Sequence, residues 1–355
     1  MKKISVCVIF GGASSEHEVS CVSASSVLSH LSPDRYDIHK IGITKEGRWL
    51  YVKSSNEDVK SGAWAADPAA IPCAILPDAT LGNIALLGDT TSFLSVDVVF
   101  PVLHGKNGED GTIQGLFELA KIPYVGCGVF ASAASMDKGY TKIVVDTIGV
   151  QQAKYLTIRL HEYKAAPAPF IEKAESDLLY PIFVKPASAG SSVGISKATD
   201  RESLTRAIDL AFEHDRKVIL EECIVGRELE TAVLGNTDIE VSCVGEVLAA
   251  DEFYSYDAKY NNAESVTLIP TTLPEGKEEE LRDAARRIFA ALDGRGLSRV
   301  DFFLRKSDNA VIFNEINTLP GFTSISMYPK LFGAVGVDYD TLVDRLIELA
   351  LAEHA

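Results

Sequence analysis

A short run rich in β-branched residues, Ile4–Phe10, closes abruptly on Gly11-Gly12. A strand with so little polar alternation has to be covered on both faces, which points to a parallel sheet with helices packed against it. The chain then repeats this grammar. A polar loop, Ala13–Glu18, leads into Val19–Leu31, whose apolar residues 19, 22, 27, 28 and 31 suit a helix. Val96–Leu103 reads as a second strand, followed by the loop His104–Gly111, a helix with apolar residues at 113, 116, 117 and 120, and a third short strand at Ile122–Val125. Strand, glycine-rich loop, helix, strand is how an open α/β sheet is written, and ligands of such sheets gather at the carboxyl ends of the strands. This unit spans residues 1–128. Its opening, MKKISVCVIFGG, has the charge-then-apolar order of a signal peptide, but the apolar stretch is only seven residues and no small-x-small site follows. A buried first strand is the expectation.

At 355 residues there is room for two or three domains. The second segment, 129–225, opens with a helix containing Met136-Asp137-Lys138. Strand Pro181–Pro186, the small-residue loop Ala187–Gly194, a helix near 200–213 and strand Lys217–Glu222 follow. The third, 226–355, is richer in strands: Leu229–Leu234, Val241–Ala249, Arg299–Arg305 and Val311–Asn317, with a helix at 275–292 and a C-terminal helix at Leu342–Ala352. The fold class is therefore α/β, becoming α+β in the C-terminal part. Asp251–Pro270 has mixed charge and no period, so it reads as a long loop, and such loops are usually lids or binding elements. No 18-residue apolar stretch exists, so no spanning helix is expected. Against 34 Lys plus Arg stand 50 Asp plus Glu, a formal charge of −16. A surface that acidic repels phosphate backbones and argues against nucleic-acid or anionic-membrane partners. A small anion is still compatible, because a few focused lysines and a divalent cation offset the field locally. The cysteines, Cys7, Cys21, Cys73, Cys127, Cys223 and Cys243, form no C-x-x-C pair and have no His at zinc-finger spacing, so reduced thiols in a cytoplasmic protein are the plain expectation.

Chemistry concentrates on the last two strands. In Arg299-Val300-Asp301-Phe302-Phe303 and Phe313-Asn314-Glu315-Ile316-Asn317 polar and apolar residues alternate with period two, so Arg299 shares a face with Asp301, and Glu315 with Asn317. Pairing Asp301 opposite Glu315 leaves a connecting loop of 306–310 and puts all four side chains on one surface, whereas pairing Asp301 with Asn314 splits them. Two carboxylates and an amide oxygen are hard ligands suited to Mg²⁺. On spacing alone, an ordinary solvent-facing strand pair fits equally well. The loop Ala189–Gly194 after Lys185 offers small residues whose backbone N–H groups can close on phosphate, although it is no Walker loop and a flexible turn has the same composition. Gly126-Cys127-Gly128-Val129-Phe130-Ala131, with Asp146 twenty residues on, matches a dinucleotide fingerprint in form, but Thr141–Ile148 reads as helix where that motif needs a strand. Glu16, His104 and Glu109 fall in loops after strands. Charge compensation at a helix start accounts for either glutamate, and a local hydrogen bond for the histidine.

Seven segments, FGGASSEHEVS (10–20), LHGKNGEDGTIQG (103–115), SMDKGYTK (135–142), VKPASAGSSVGISK (184–197), EFYSYDAKY (252–260), SRVDFFL (298–304) and NEINTLPGFTSISMYPKL (314–331), together resemble the ATP-grasp ligases and within them the D-alanine–D-alanine ligase family. The resemblance implies three domains, with ATP held between the second and third, and a cytoplasmic homodimer. Carried onto this chain, it implies that Lys138 and Lys185 hold ATP phosphates under a lid formed by Ser191 and Ser192. Glu221 and Ile224 would receive adenine, Glu228 the ribose, and Lys259 would also contact the nucleotide. Asp301, Glu315 and Asn317 would bind two Mg²⁺ or Mn²⁺. Glu16, with Val19 nearby and a chain through Ser191 and Tyr260, would anchor the first D-alanine near His104. Arg299 and the Gly321 amide would form the oxyanion site, and Ser326 and Met327 would meet the second substrate. The chain departs from the pattern at Ala189, where several members carry Glu or Gln, and at Cys223, where some carry Trp. Relatives that use D-lactate have a His-containing segment in place of DAKY, and those using D-lactate or D-serine tend to carry Arg at the position of Met327. Both observations point to D-alanine. A nucleotide-binding regulatory module without turnover is a reading from another class; the joint presence of Glu16, Arg299, Asp301, Glu315 and Asn317 argues against it.

Overall fold

The computed structural model describes residues 2–81, 83–190, 194–248 and 266–354, and its strands form three sheets. The first contains β1 (Ile4–Gly11), β2 (Tyr36–Ile43), β3 (Trp49–Val52), β4 (Ile71–Ile75), β5 (Ile84–Leu87), β6 (Thr91–Leu94) and β7 (Val98–Val102), in the order β6-β5-β4-β3-β2-β1-β7. β1 lies parallel to both β2 and β7, and the pairings outward from β2 are antiparallel. The expected parallel sheet is thus the β2-β1-β7 end of this sheet, extended beyond β2 by antiparallel strands of only four or five residues. The strand expected at Ile122–Val125 shrinks to one bridge, Tyr124 to Val99, because Pro123 has no N–H to donate to a ladder.

The second sheet, in the order β10-β9-β11-β8, contains β8 (Tyr155–Arg159), β9 (Ile182–Pro186), β10 (Ser196–Ala198) and β11 (Lys217–Glu222). The third, β14-β13-β12-β15-β16, contains β12 (Gly226–Gly235), β13 (Glu240–Leu248), β14 (Val266–Leu268), β15 (Gly296–Arg305) and β16 (Val311–Asn317). Both are antiparallel throughout.

Helices α1 (His17–His30), α2 (Asn56–Ser61) and α3 (Thr112–Ala120) belong to the first sheet; α4 (Val129–Met136) and α5 (Lys138–Thr147) follow it. The single helix expected across Met136-Asp137-Lys138 is two. Asp137 leaves helical geometry and caps α5 by accepting from the Tyr140 N–H at 3.1 Å. Next come α6 (Leu160–Ala165), α7 (Pro167–Asp177), α8 (Arg201–His214), α9 (Lys277–Ala291), α10 (Met327–Ala334) and α11 (Tyr339–Glu353). None of the described helices is long and apolar enough to cross a membrane. All six cysteines are unpaired thiols.

Among the described residues, four apolar clusters form the core, and they do not follow chain order. One joins Val6, Val8 and Phe10 of β1 to α1, to α10 and α11, and to Ala232, Leu234 and Val247 of the third sheet. A second covers the other face of the third sheet with α9 and with Ala131, Ala134 and Val145 of α4 and α5. A third lies under α3, and the fourth is the private core of the second sheet with α6, α7 and α8. The first and third sheets therefore share a continuous core. Their loops open onto a common cleft.

Candidate active site

The cleft is assembled from loops and strand ends of all three sheets. Its lining includes Glu16, His104, Glu109, Lys138, Arg299, Glu315, Asn317 and Gly321, all singled out from sequence, together with Gly190. Glu16 follows β1 because the chain turns sharply at Gly11. Its φ is +86°, and a Cβ there would lie 2.2 Å from the Ile43 carbonyl oxygen, so only glycine fits. The buried Ser20 hydroxyl accepts from the Gly11 N–H at 2.8 Å and donates to the Val102 carbonyl, tying α1 to both parallel strands. Glu16 is itself buried. A Cβ on Gly105 would approach its Oε2 to 2.4 Å, and one on Gly190 to 3.1 Å, so two glycines from different sheets make room for this carboxylate.

His104, at the start of the loop after β7, is also buried. Its Nδ1 lies 3.2 Å from the Leu319 carbonyl oxygen and its Nε2 lies 3.2 Å from Ser23 Oγ. A carbonyl only accepts, so Nδ1 carries the hydrogen and neutral Nε2 accepts from Ser23. Burial lowers the imidazole pKa, partly opposed by the charge of Glu16, which agrees with a neutral ring. Glu109 accepts from the Gly105 N–H at 2.8 Å. It is pushed up to about 8, first by burial and then by Glu16. It therefore serves the β7 loop and not the start of α3, which begins at Thr112.

On the third sheet the register is the one that unites the polar set. Asp301 pairs with Glu315 and Arg299 with Asn317; a bulge at Asn314 then restores Phe302 opposite Phe313. Arg299 donates from Nε and Nη2 to the two oxygens of Asp301, each at 2.7 Å. The Asn317 amide donates to Asp301 Oδ2 at 3.2 Å. Lys138 Nζ donates to the Ala189 carbonyl at 3.0 Å and lies 3.6 Å from Glu315 Oε2. The backbone carbonyl of Ala189 thus makes this contact, whatever side chain stands there. Burial works against the Arg299 charge, but Asp301 and Glu230 hold its pKa well above the ordinary value.

Beside the cleft, Glu221 forms two ion pairs, with Oε1 2.7 Å from Lys142 Nζ and Oε2 2.6 Å from Lys185 Nζ. Burial opposes ionisation of Glu221, yet the two ammonium groups hold its pKa down to about 2. Lys185 stays cationic despite burial, because Glu221, Glu315 and Glu228 surround it with negative charge. Ile224 and Cys223 are half-buried in the turn between β11 and β12. Val19 is buried in α1. Ser326 precedes α10 and accepts from the Thr323 N–H at 3.0 Å; a Cβ on Gly321 would reach 2.9 Å from its hydroxyl. Met327 is buried over Gly245, whose missing Cβ leaves room for its methyl group. Ser191, Ser192, Lys259 and Tyr260 lie outside the described residues.

The sequence reading passed over Lys142 and Glu230. Lys142 stands one helical turn after Lys138, and Glu230 shares a strand face with Glu228, so both had a periodicity signal but no partner to give it meaning. The oxygen donors fit a hard cation. Asp301, Glu315 and Asn317 meet across one strand pair, yet among the described residues no three His, Cys, Asp or Glu side chains surround one point. A cation held here therefore takes further oxygens from a ligand, as Mg²⁺ does with phosphates.

Sequence models of the D-ala D-ala ligase N-terminus and C-terminus match residues 5–127 and 144–348. A D-alanine–D-alanine ligase of Caldicellulosiruptor bescii is 49% identical over 100% of this chain and 97% of its own length. One of Acetivibrio thermocellus is 48% identical over 98% of this chain and 96% of its own. Among solved structures, the VanG D-Ala:D-Ser ligase from Enterococcus faecalis has a TM-score of 0.90 at 39% identity, covering 98% of this chain and 100% of that one. The D-alanine-D-alanine ligase from Coxiella burnetii has a TM-score of 0.86 at 33% identity, covering 100% and 95%. Three sheets opening onto one cleft lined by lysine, arginine and carboxylates make this an ATP-grasp ligase. More narrowly, the chain belongs to the D-alanine–D-alanine ligase family.

Proposed function

We propose that this chain joins two D-alanine molecules into D-alanyl-D-alanine for peptidoglycan precursors, consuming ATP and releasing ADP and phosphate. The reaction needs activation, because a carboxylate is a poor electrophile in water. A carboxylate oxygen of the first D-alanine attacks the γ-phosphorus, the bond to the β-phosphate oxygen breaks, and ADP leaves an acyl phosphate behind. The deprotonated amine of the second D-alanine then attacks the acyl carbon, and collapse of the tetrahedral intermediate expels inorganic phosphate.

The residues divide this work. Lys138 and Lys185 hold phosphates, closed over by Ser191 and Ser192. Glu221 and Ile224 receive adenine, Glu228 the ribose, and Lys259 completes the nucleotide contacts. Glu16 anchors the ammonium of the first D-alanine with Val19, His104, Ser191 and Tyr260. Arg299 and the Gly321 N–H stabilise the oxyanion, a role in which losing one donor costs about 10²–10³ in rate. Asp301, Glu315 and Asn317 would hold two Mg²⁺ or Mn²⁺, which supply charge neutralisation for the transferring phosphoryl group. Ser326 and Met327 meet the second D-alanine. The reading includes a cytoplasmic homodimer, with units 1–128, 129–225 and 226–355.

The observation that carries it is the convergence on one cleft of Glu16, a carboxylate able to bind an ammonium, with Lys138, Arg299 and the Glu315–Asn317 pair. D-serine as second substrate is the competing reading, favoured by the likeness to VanG. Met327 speaks against it, since a buried thioether is only a weak acceptor for a hydroxyl. Offering D-alanine, D-serine and D-lactate together with Mg²⁺ and ATP, and weighing the products by mass spectrometry, decides the matter. D-alanyl-D-alanine is expected to dominate. A dominant D-alanyl-D-serine or depsipeptide product would transfer the assignment.

A further inference from the structure

Arg299 is held by two carboxylates, and the proposed reaction assigns a second task to one of them. Asp301 accepts both guanidinium hydrogen bonds at 2.7 Å, yet under the reading above it also holds a cation. Glu230 lies on β12 directly opposite Asp301, which in turn faces Glu315 on β16, so three carboxylates cross the sheet in one row. Glu230 Oε2 is 3.0 Å from Arg299 Nε. The single Nε hydrogen is committed to Asp301, so this contact is an ion pair held in reserve and not a second hydrogen bond. Glu230 is buried on a strand paired on both sides, which fixes its backbone. Among the described residues lining the cleft, Arg299 is present and Glu230 is not.

We propose that Glu230 is a positioning residue for Arg299: when Asp301 turns an oxygen to the cation, Glu230 takes over the guanidinium and keeps it aimed at the oxyanion. The inference rests on the proposed roles of Arg299 and Asp301. Without Glu230, the guanidinium would follow Asp301 toward the metal or drift, since a buried charge seeks whatever partner is left. Planar arginine suits this exchange because its fork presents donors on two edges.

The test compares Glu230→Gln, Glu230→Asp, Arg299→Lys and the double variant Glu230→Gln/Arg299→Lys in the full chain. E230Q is expected to lose about 10²-fold in kcat, the scale of a small misplacement of a catalytic group. Its KM for ATP and its Mn²⁺ affinity, read by electron paramagnetic resonance in the presence of ATP without D-alanine, should stay within about twofold of the parent. E230D, which retains the charge, should recover part of kcat. In the double variant E230Q should add little to the loss caused by R299K, because the two act as one unit. Mn²⁺ affinity falling in step with kcat would make Glu230 a metal ligand and overturn the proposal. So would a full multiplicative penalty in the double variant, or equal losses in E230Q and E230D that vanish when activity is expressed per folded molecule. If R299K alone leaves kcat intact, the oxyanion reading itself is wrong, and the proposal fails with it for that separate reason.

Discussion

Glu109 shows how far a single carboxylate departs from its sequence context. Read from the chain, it compensates a helix N-terminus; in the fold, it is buried beside Glu16 and bonded to the Gly105 N–H. The consequence is a pH dependence whose sign is fixed. Below the ordinary carboxyl value of 4.5 both folded and unfolded chains are protonated. Between that value and about 8 the folded chain keeps a proton that the unfolded chain releases, so the stability contribution is lost as pH rises through this window. Thermal melts without nucleotide should show the parent losing stability relative to Glu109→Gln from about pH 5 upward, with the gap levelling off above about pH 8. Parallel curves for the two proteins would refute the assignment. His104 makes the matching point, because no local pattern foretells that its two nitrogens reach Leu319 and Ser23.

At the level of elements, the β15–β16 pair was the most legible part of the molecule. Period-two alternation put Arg299 with Asp301 and Glu315 with Asn317, and only one register kept them together. The bulge at Asn314 escaped notice, since an extra residue changes pairing beyond Glu315 without changing the pattern before it. Helix α5 was less legible. Asp137 looked like a helical residue and is a cap, and Lys142 looked like one more charge yet is buried against Glu221. Lys142→Met should therefore cost about 3–5 kcal/mol at neutral pH, the scale for removing one partner of a buried pair. Glu221 contributes stability above its ordinary value of 4.5, and that contribution is lost as pH falls toward about 2. The K142M penalty should therefore shrink on acidification, which urea melts at neutral and acid pH will register.

Over the whole molecule, the decisive feature is the core shared by the first and third sheets. Phe322, next to Gly321, meets Phe100 of β7 with ring centroids 6.1 Å apart and packs on Tyr328 and Tyr339 at 5.3 and 5.8 Å. Tyr339 Oη donates to the Phe322 carbonyl at 2.5 Å. One aromatic residue thus ties the β7 loop, which carries His104, to the segment carrying Gly321 and Ser326. Phe322→Ala should destabilise the chain by about 3–5 kcal/mol. The KM for the second amino acid should also rise in the molecules that remain folded. A loss below about 1 kcal/mol would mean that the two sheets do not depend on this contact.

What the chain alone determined is whatever repeats locally. The buried first strand, the period of β15 and β16 and the helix at 277–291 are set by backbone geometry over a few residues, and geometry of that range is written in consecutive side chains. The tertiary structure decided everything that depends on which strand lies beside which. It set Glu230 next to Arg299, Lys142 under Glu221, and α4 and α5 against the third sheet. Counter-ions and burial are properties of distant neighbours brought together, and no spacing along the chain encodes them.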